Sequence, residues 1–211
     1  AYWSQGVSYY GLGQAEESRR AGQTALELCQ STGDQDGIGN AYNILSFTET
    51  GLGARINNLK ASLQAFEVAG YKYRYTAILG NLALVYAELG LYSHSLRISK
   101  QNAEIFRGME LKAAQSYAVH HIIAAEIPLG MFDSAQRHLE EFEGLVRDFG
   151  DLDLIVSLAF LKGDLAFKEG NNKTAIRNYK SALRIIQEAH LNSETSILPE
   201  LGKAHLANGE P

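Results

Sequence analysis

Apolar residues recur along this chain at helical spacing. Leu79, Leu82, Ala83 and Tyr86 share one face before Gly90, and Leu96, Ile98, Ala103 and Phe106 share another after it. Steps of three and four fit the helix, not the two-residue alternation of a half-buried strand. No stretch alternates apolar and polar positions for long enough to argue a sheet, and only 3 prolines interrupt the 211 residues. The pattern predicts about eleven helices and no strand.

The helices come in pairs at a fixed period. Gly13, Gly53, Gly90, Gly130, Gly170 and Gly209 follow one another at intervals of 40, 37, 40, 40 and 39 residues. Seven residues before these glycines stand Gly6, Ser46, Ala83, Ile123, Gly163 and Gly202, small in all but one case. Five residues after the first five come Ser18, Asn58, Ser95, Ala135 and Ala175. Two antiparallel helices approach closely only where facing side chains are small. The glycine between them can take the left-handed conformation that ends one helix and reverses the chain. The predicted unit is therefore helix, turn, helix. Its copies span about 1–34, 35–71, 72–110, 111–150 and 151–191, with a partial copy over 192–211, all within one repeat domain covering 1–211.

Gly6-Tyr9-Gly13-Ser18-Ala25-Leu26, Ala83-Tyr86-Gly90-Ser95 and Gly163-Gly170-Ala175-Tyr179-Ala182-Leu183 carry a known signature. A small residue, an aromatic, a turn glycine and a second small residue at these offsets resemble the tetratricopeptide repeat over essentially the whole chain. The resemblance implies an all-α fold, a right-handed superhelix or α-solenoid of helix-turn-helix repeats. The period exceeds the usual 34 or so, which implies longer second helices. The long variety is similar to the sensor regions of large bacterial regulators, namely LuxR-type ATP-binding transcription activators and ATPase-cyclase fusions. Gly33-Asp34-Gln35-Asp36-Gly37-Ile38-Gly39-Asn40-Ala41 is the segment most like them.

In such a stack the first helix of each repeat lines a concave face. The resemblance places Trp3, Asn43, Phe47, Asn81 and Leu84 on that face in the first three repeats. Tyr117, His120, His121 and Ala124 follow in the fourth, and Phe160, Asp164 and Phe167 in the fifth. The set holds no Lys or Arg, which argues against the carboxylate clamp that some family members use on a peptide C-terminus. Asn43 and Asn81 each offer a donor and an acceptor to a peptide backbone, and the aromatics offer contact area. Packing between neighbouring first helices is an equally open role for Trp3, Phe47 and Phe160. The fourth repeat departs from the pattern: Ile123 holds the small position, Glu126 the aromatic one, and Pro128 should end the first helix near Ile127. Either drift or a shaped pocket would account for this.

Composition narrows the chemistry. A formal charge of −5 leaves no basic footprint for direct nucleic-acid binding. No apolar run reaches the roughly eighteen residues of a membrane span, and no leader pattern is present. A single cysteine, Cys29, allows no internal disulfide and reads as a small buried apolar residue in a reducing, cytoplasmic setting. Tyr71-Lys72-Tyr73-Arg74-Tyr75 mixes aromatics and bases, and reads as a helix start more than a stacking platform. His120 and His121 are adjacent, so on a helix they diverge by about 100° and cannot chelate one metal as an i, i+4 pair does. Glu126 and Asp164 approaching His120 would be the only acid-base set, and no phosphate loop is present.

No catalytic residue, metal or cofactor is expected. The expected role is a protein or peptide interaction scaffold within a larger regulatory or signalling protein, such as a transcription regulator. The alternative is a small-effector sensor that controls an attached output module. Ala1-Tyr2-Trp3 opens inside an apolar pattern without an initiator Met, as a piece of a longer protein would. End repeats without a polar cap would invite self-association.

Overall fold

The computed structural model describes residues 2–147, 150–191 and 197–209. Ala1, Pro211 and residues 192–196, where the partial sixth repeat was expected to open, lie outside the described residues. Among those described there are eleven α-helices and no strand: α1 (Tyr2–Gly11), α2 (Ala15–Thr32), α3 (Gln35–Thr48), α4 (Leu52–Ala69), α5 (Lys72–Glu88), α6 (Tyr92–Gly108), α7 (Lys112–Glu126), α8 (Phe132–Arg147), α9 (Leu152–Lys168), α10 (Asn172–Glu188) and α11 (Ile197–Ala207). The added length is not confined to second helices. First helices α5 and α9 have 17 residues each, as many as α6 and α10.

Contacts divide the chain into two compact units, Ala1–Ile98 and Ser99–Pro211, with the division inside α6. In the first unit each helix from α1 to α5 packs on the next, and α1 also touches α3. In the second, α7 to α11 pack in the same sequential way, with α7 on α9 and α9 on α11. First helices therefore lie side by side within each unit, as a repeat stack requires.

Helix boundaries follow local chemistry. Asp34 caps α3 by accepting a bond from the Gly37 amide at 3.0 Å. Asp151 caps α9 through the Asp153 and Leu154 amides, and Asn171 caps α10 through the Thr174 amide. α7 stops at Glu126 with Ile127 as its cap residue, two positions before the ring of Pro128 would obstruct it. The small-on-small crossing takes a definite form in the first repeat, where the buried Ser18 hydroxyl donates to the Gly6 carbonyl at 2.8 Å.

The chain reverses at residues with positive φ. Gly13, Gly90, Gly130 and Gly170 turn a first helix into a second, and Gly33, Gly70, Glu110, Gly150 and His190 close the second helices. Each first-to-second turn precedes the closing turn of its repeat by twenty residues. Counting back the same distance from Gly70 reaches Thr50, not Gly53. Gly53 lies in the first turn of α4, behind an extended Glu49 at φ −79, ψ 134 and an extended Gly51. The sequence register of the second repeat was thus displaced by three residues, and the position equivalent to Gly6 is Asn43 instead of Ser46. Three residues is nearly one helical turn, so the displaced register still met apolar spacing.

Glu110 and His190 hold a left-handed conformation, at φ 57 and 53, that elsewhere in the series falls to glycine. Leu111 donates to the Phe106 carbonyl at 3.1 Å across this turn, just as Asp34 donates to Cys29 across Gly33 at 2.9 Å. The Cβ of Glu110 is penalised there. Glu110→Gly is expected to stabilise the protein by about 0.5–1 kcal/mol, the relief of strain less the extra freedom of the unfolded glycine. Urea unfolding of the two proteins side by side measures the difference.

Two apolar clusters form the core of the second unit. One gathers Val119, Ile123, Leu139, Phe142 and Leu161, and the other Tyr179, Ala182, Ile186, Ile197 and Ala204. In the first unit Ala25, Ile44, Leu59, Phe66, Leu79 and Leu82 are buried. Cys29 is only half-buried, contrary to the sequence reading, and its thiol hydrogen-bonds Asp34 Oδ2 at 3.7 Å. Burial and the neighbouring Asp34 push the thiol above its ordinary range, which keeps it protonated.

Candidate functional site

The expected lining residues all lie on first helices. In the first unit Trp3 is on α1, Asn43 and Phe47 on α3, and Asn81 and Leu84 on α5. Asn81 Nδ2 donates to Asn43 Oδ1 at 3.1 Å, linking α5 to α3. The bond uses one amide hydrogen and one carbonyl oxygen. The Asn43 NH2 and the Asn81 carbonyl oxygen retain their capacity. Leu84 stands 43% exposed one turn further along α5. Phe47 stacks with Tyr10 at 5.3 Å, so this aromatic is shared between surface and helix packing.

Trp3 on α1 meets a cation from α5. The Arg74 guanidinium lies 5.5 Å from the centre of the indole and 6.0 Å from that of Phe66. It donates to Asn40 Oδ1 at 2.6 Å, and its Nε lies 3.3 Å from Asp36 Oδ1. A guanidinium from outside the expected lining set thus stands against Trp3, its charge met by Asp36. Arg74 sits in the first turn of α5, and only the side-by-side packing of repeats brings it to residues 34 or more positions earlier. Its segment stood out in the sequence for mixing tyrosines and bases. Nothing in that composition indicated Trp3. Tyr71 and Tyr73 themselves remain in solvent, 51% and 58% exposed.

In the second unit Tyr117, His120 and His121 lie on α7, and Phe160, Asp164 and Phe167 on α9. Tyr117 is 49% exposed. The two imidazoles meet edge to face at 5.4 Å, and His120 also lies 6.0 Å from the Phe142 ring. Burial lowers His120 to about 4, and burial with repulsion from His120 lowers His121 to about 3. Both rings are neutral at physiological pH.

Asp164 accepts a 2.7 Å hydrogen bond from the Tyr179 hydroxyl. Burial raises its carboxyl to about 6, with that bond opposing the rise. Burial and Asp164 in turn hold the Tyr179 phenol well above the ordinary range. Phe160 rests on the Tyr179 ring at 5.7 Å, which ties it to the core as well as to the face.

Glu126 resolves the irregularity of the fourth repeat. Its fully buried carboxylate accepts from Ser134 Oγ at 2.9 Å, lies 2.7 Å from His138 Nδ1, and is 3.4 Å from Lys100 Nζ. The one acid-base set the sequence offered, Glu126 and Asp164 with His120, is not what the contacts show. Glu126 turns to α8 and α6, and Asp164 to α10. A polar cluster replaces the usual aromatic, and its members come from α6, α7 and α8, so spacing along α7 alone gave no sign of it. Among the described residues, no three His, Cys, Asp or Glu side chains stand together as a metal site would need, and no helix is long and apolar enough to cross a membrane.

No family model and no curated protein matches the sequence. Solved structures do match its fold. Aspartyl phosphate phosphatase F from Bacillus subtilis superposes with a TM-score of 0.73 at 12% identity, over 100% of this chain and 61% of that one. A Rap protein complexed with competence and sporulation factor gives 0.75 at 16% identity, over 92% of this chain and 58% of that one. A signal transduction ATPase with numerous domains from Pyrococcus horikoshii, which carries a tetratricopeptide repeat sensor, gives 0.70 at 14% identity, over 100% of this chain and 33% of that one. The chain thus spans less than two thirds of the length of each. At such identities the likeness defines the fold: an all-α helical-repeat domain of the α-solenoid class. Within that class it is a tetratricopeptide-like repeat domain.

Proposed function

We propose that the first-helix face binds an extended peptide or a segment of a partner protein, and that the domain serves in this way within a larger regulatory or signalling protein. The observation that carries the reading is the amide pair of Asn43 and Asn81. It bridges two first helices and keeps a donor and an acceptor for a peptide backbone, with Leu84 exposed beside it. A ligand seen on one protein of like fold, competence and sporulation factor on a Rap protein, lends support to a binding role. Selection of a random-peptide display library on the immobilised protein is expected to enrich a consensus. Asn43→Ala with Asn81→Ala should then weaken the selected peptides about tenfold or more, the loss of two hydrogen bonds, with an unchanged circular-dichroism melt. No consensus, or undiminished binding by the double variant, overturns this reading.

A small-effector sensor is the second reading, favoured by the likeness to a protein whose tetratricopeptide region is named a sensor. It predicts a rise in melting temperature with one of a set of metabolite pools, because a ligand of the folded state alone must stabilise it.

A further inference from the structure

The outer side of α10 carries a concentration of positive charge that the first-helix reading leaves unused. The helix holds Lys173, Arg177, Lys180 and Arg184 against the single acid Glu188, in a chain whose formal net charge is −5. Its apolar stripe, Ala175, Tyr179, Ala182, Leu183 and Ile186, is buried. Arg177, Lys180, Ser181 and Arg184 instead line an open depression of about 320 Å³. That is the lower end of the range for small-ligand sites.

Among the described residues the cations of this depression have no anionic partner. Arg177 reaches only the Thr174 hydroxyl, at 3.3 Å, and among the described residues no carboxylate lies within ion-pair distance of Arg177, Lys180 or Arg184. On the two helices that pack against α10, Lys162 lies 2.8 Å from Glu143 and Lys203 2.7 Å from Glu200. Lys180 is three residues from Arg177 and four from Arg184, the spacings at which like charges on a helix repel. Ser181 stands four residues from Arg177 and three from Arg184, on the same face of the helix as both, and lines the depression with them.

We propose that this depression binds a phosphoryl dianion, carried on a phosphorylated side chain of a partner protein. Two guanidinia present paired N–H donors suited to phosphate oxygens, the lysine adds a point charge, and the serine hydroxyl supplies a further donor. A phosphorylated side chain offers close to two negative charges and three strong acceptors at neutral pH. It therefore satisfies donors and relieves repulsion at once. Arg177, Lys180 and Arg184 are exposed, off the buried apolar stripe of α10.

Titration calorimetry on the full chain at constant ionic strength tests the proposal with four probes: inorganic phosphate, free phosphoserine, and one hexapeptide in phosphoserine and serine forms. Expected are binding of the phosphopeptide, weaker binding of inorganic phosphate and free phosphoserine, and none of the serine peptide. The exposed triple variant Arg177→Gln, Lys180→Gln, Arg184→Gln should lose about tenfold or more in affinity while melting as the parent does. Equal binding of both peptide forms, or undiminished binding by the triple variant, overturns the proposal. So does a site occupied by inorganic phosphate but not by the phosphopeptide, which would mark a free-anion site. Capture by phosphatidylserine vesicles, lost in the triple variant and without any phosphopeptide binding, would overturn it in favour of a membrane surface.

Discussion

Gly163→Val is expected to cost about 3 kcal/mol of stability, the upper end of the usual range for overpacking a closed core. A Cβ at Gly163 would stand 2.5 Å from Tyr179 Cε1 and 2.6 Å from Cδ1. The Tyr179 ring has no room to yield. It is fully buried, its hydroxyl is held by Asp164 at 2.7 Å, and Phe160 lies against it at 5.7 Å. Either the α9–α10 crossing opens or the hydrogen bond breaks, and the second choice leaves a buried carboxyl with one fewer donor. For a chain of this size the melting temperature should fall by about 6–12 °C. Gly144→Ala is the control. It lies within α8, and nothing stands within 4 Å of its added Cβ, so the substitution should stabilise by about 1 kcal/mol through helix propensity alone. Thermal melts of the two variants are expected to move in opposite directions. If Gly163→Val melts with the parent, the tight crossing is not a determinant of stability.

The second large effect is acid destabilisation, with one group opposing it. His120 and His121 titrate in the folded protein at about 4 and about 3, against an ordinary value of 6.5. The unfolded chain therefore takes up protons that the folded one refuses. Their contribution to stability is complete above 6.5 and falls as pH drops toward the folded values. Asp164 acts in the other sense. Its folded value of about 6 lies above the ordinary 3.8, so the folded state holds a proton that the unfolded state releases, and its contribution declines as pH rises from 3.8 to 6. Near pH 5 the two histidines and one carboxyl leave a net uptake of about one proton on unfolding, or about 1.4 kcal/mol per pH unit. Across about pH 7 to 5 the three groups remove about 2.5 kcal/mol. Asp164→Asn is expected to abolish the opposition and roughly double the slope near pH 5. Urea unfolding at half-unit pH steps reads both slopes, and equal slopes in the two proteins would disprove the assignment to Asp164.

The two residues of greatest consequence in these results, Tyr179 and Glu126, illustrate two kinds of legibility. Tyr179 occupies a regular place in the repeat signature, next to the small positions Gly163 and Ala175, so its burial follows from the pattern. Its bond to Asp164 does not. Glu126 was visible only as an irregularity. Its meaning depends on Ser134 and His138 from α8 and Lys100 from α6, and no period within α7 points to any of them.

Elements, their pairing and most of their turns were settled by the sequence alone, because each is a local property. Apolar spacing defines the buried face of a helix. A cap needs only a side chain and the next three amides. A left-handed turn needs only glycine, or the tolerance of Glu110 and His190, and Pro128 ends α7 without help from any other helix. The tertiary structure decided what local rules leave degenerate. A shift of nearly one helical turn keeps the apolar face, so Gly53 passed for the turn that lies near Thr50. Arg74 against Trp3, Asn43 against Asn81, and the closing of Glu126 by α8 and α6 arise when helices lie side by side. That contact depends on side-chain length and direction across tens of residues, and no periodicity along the chain encodes it.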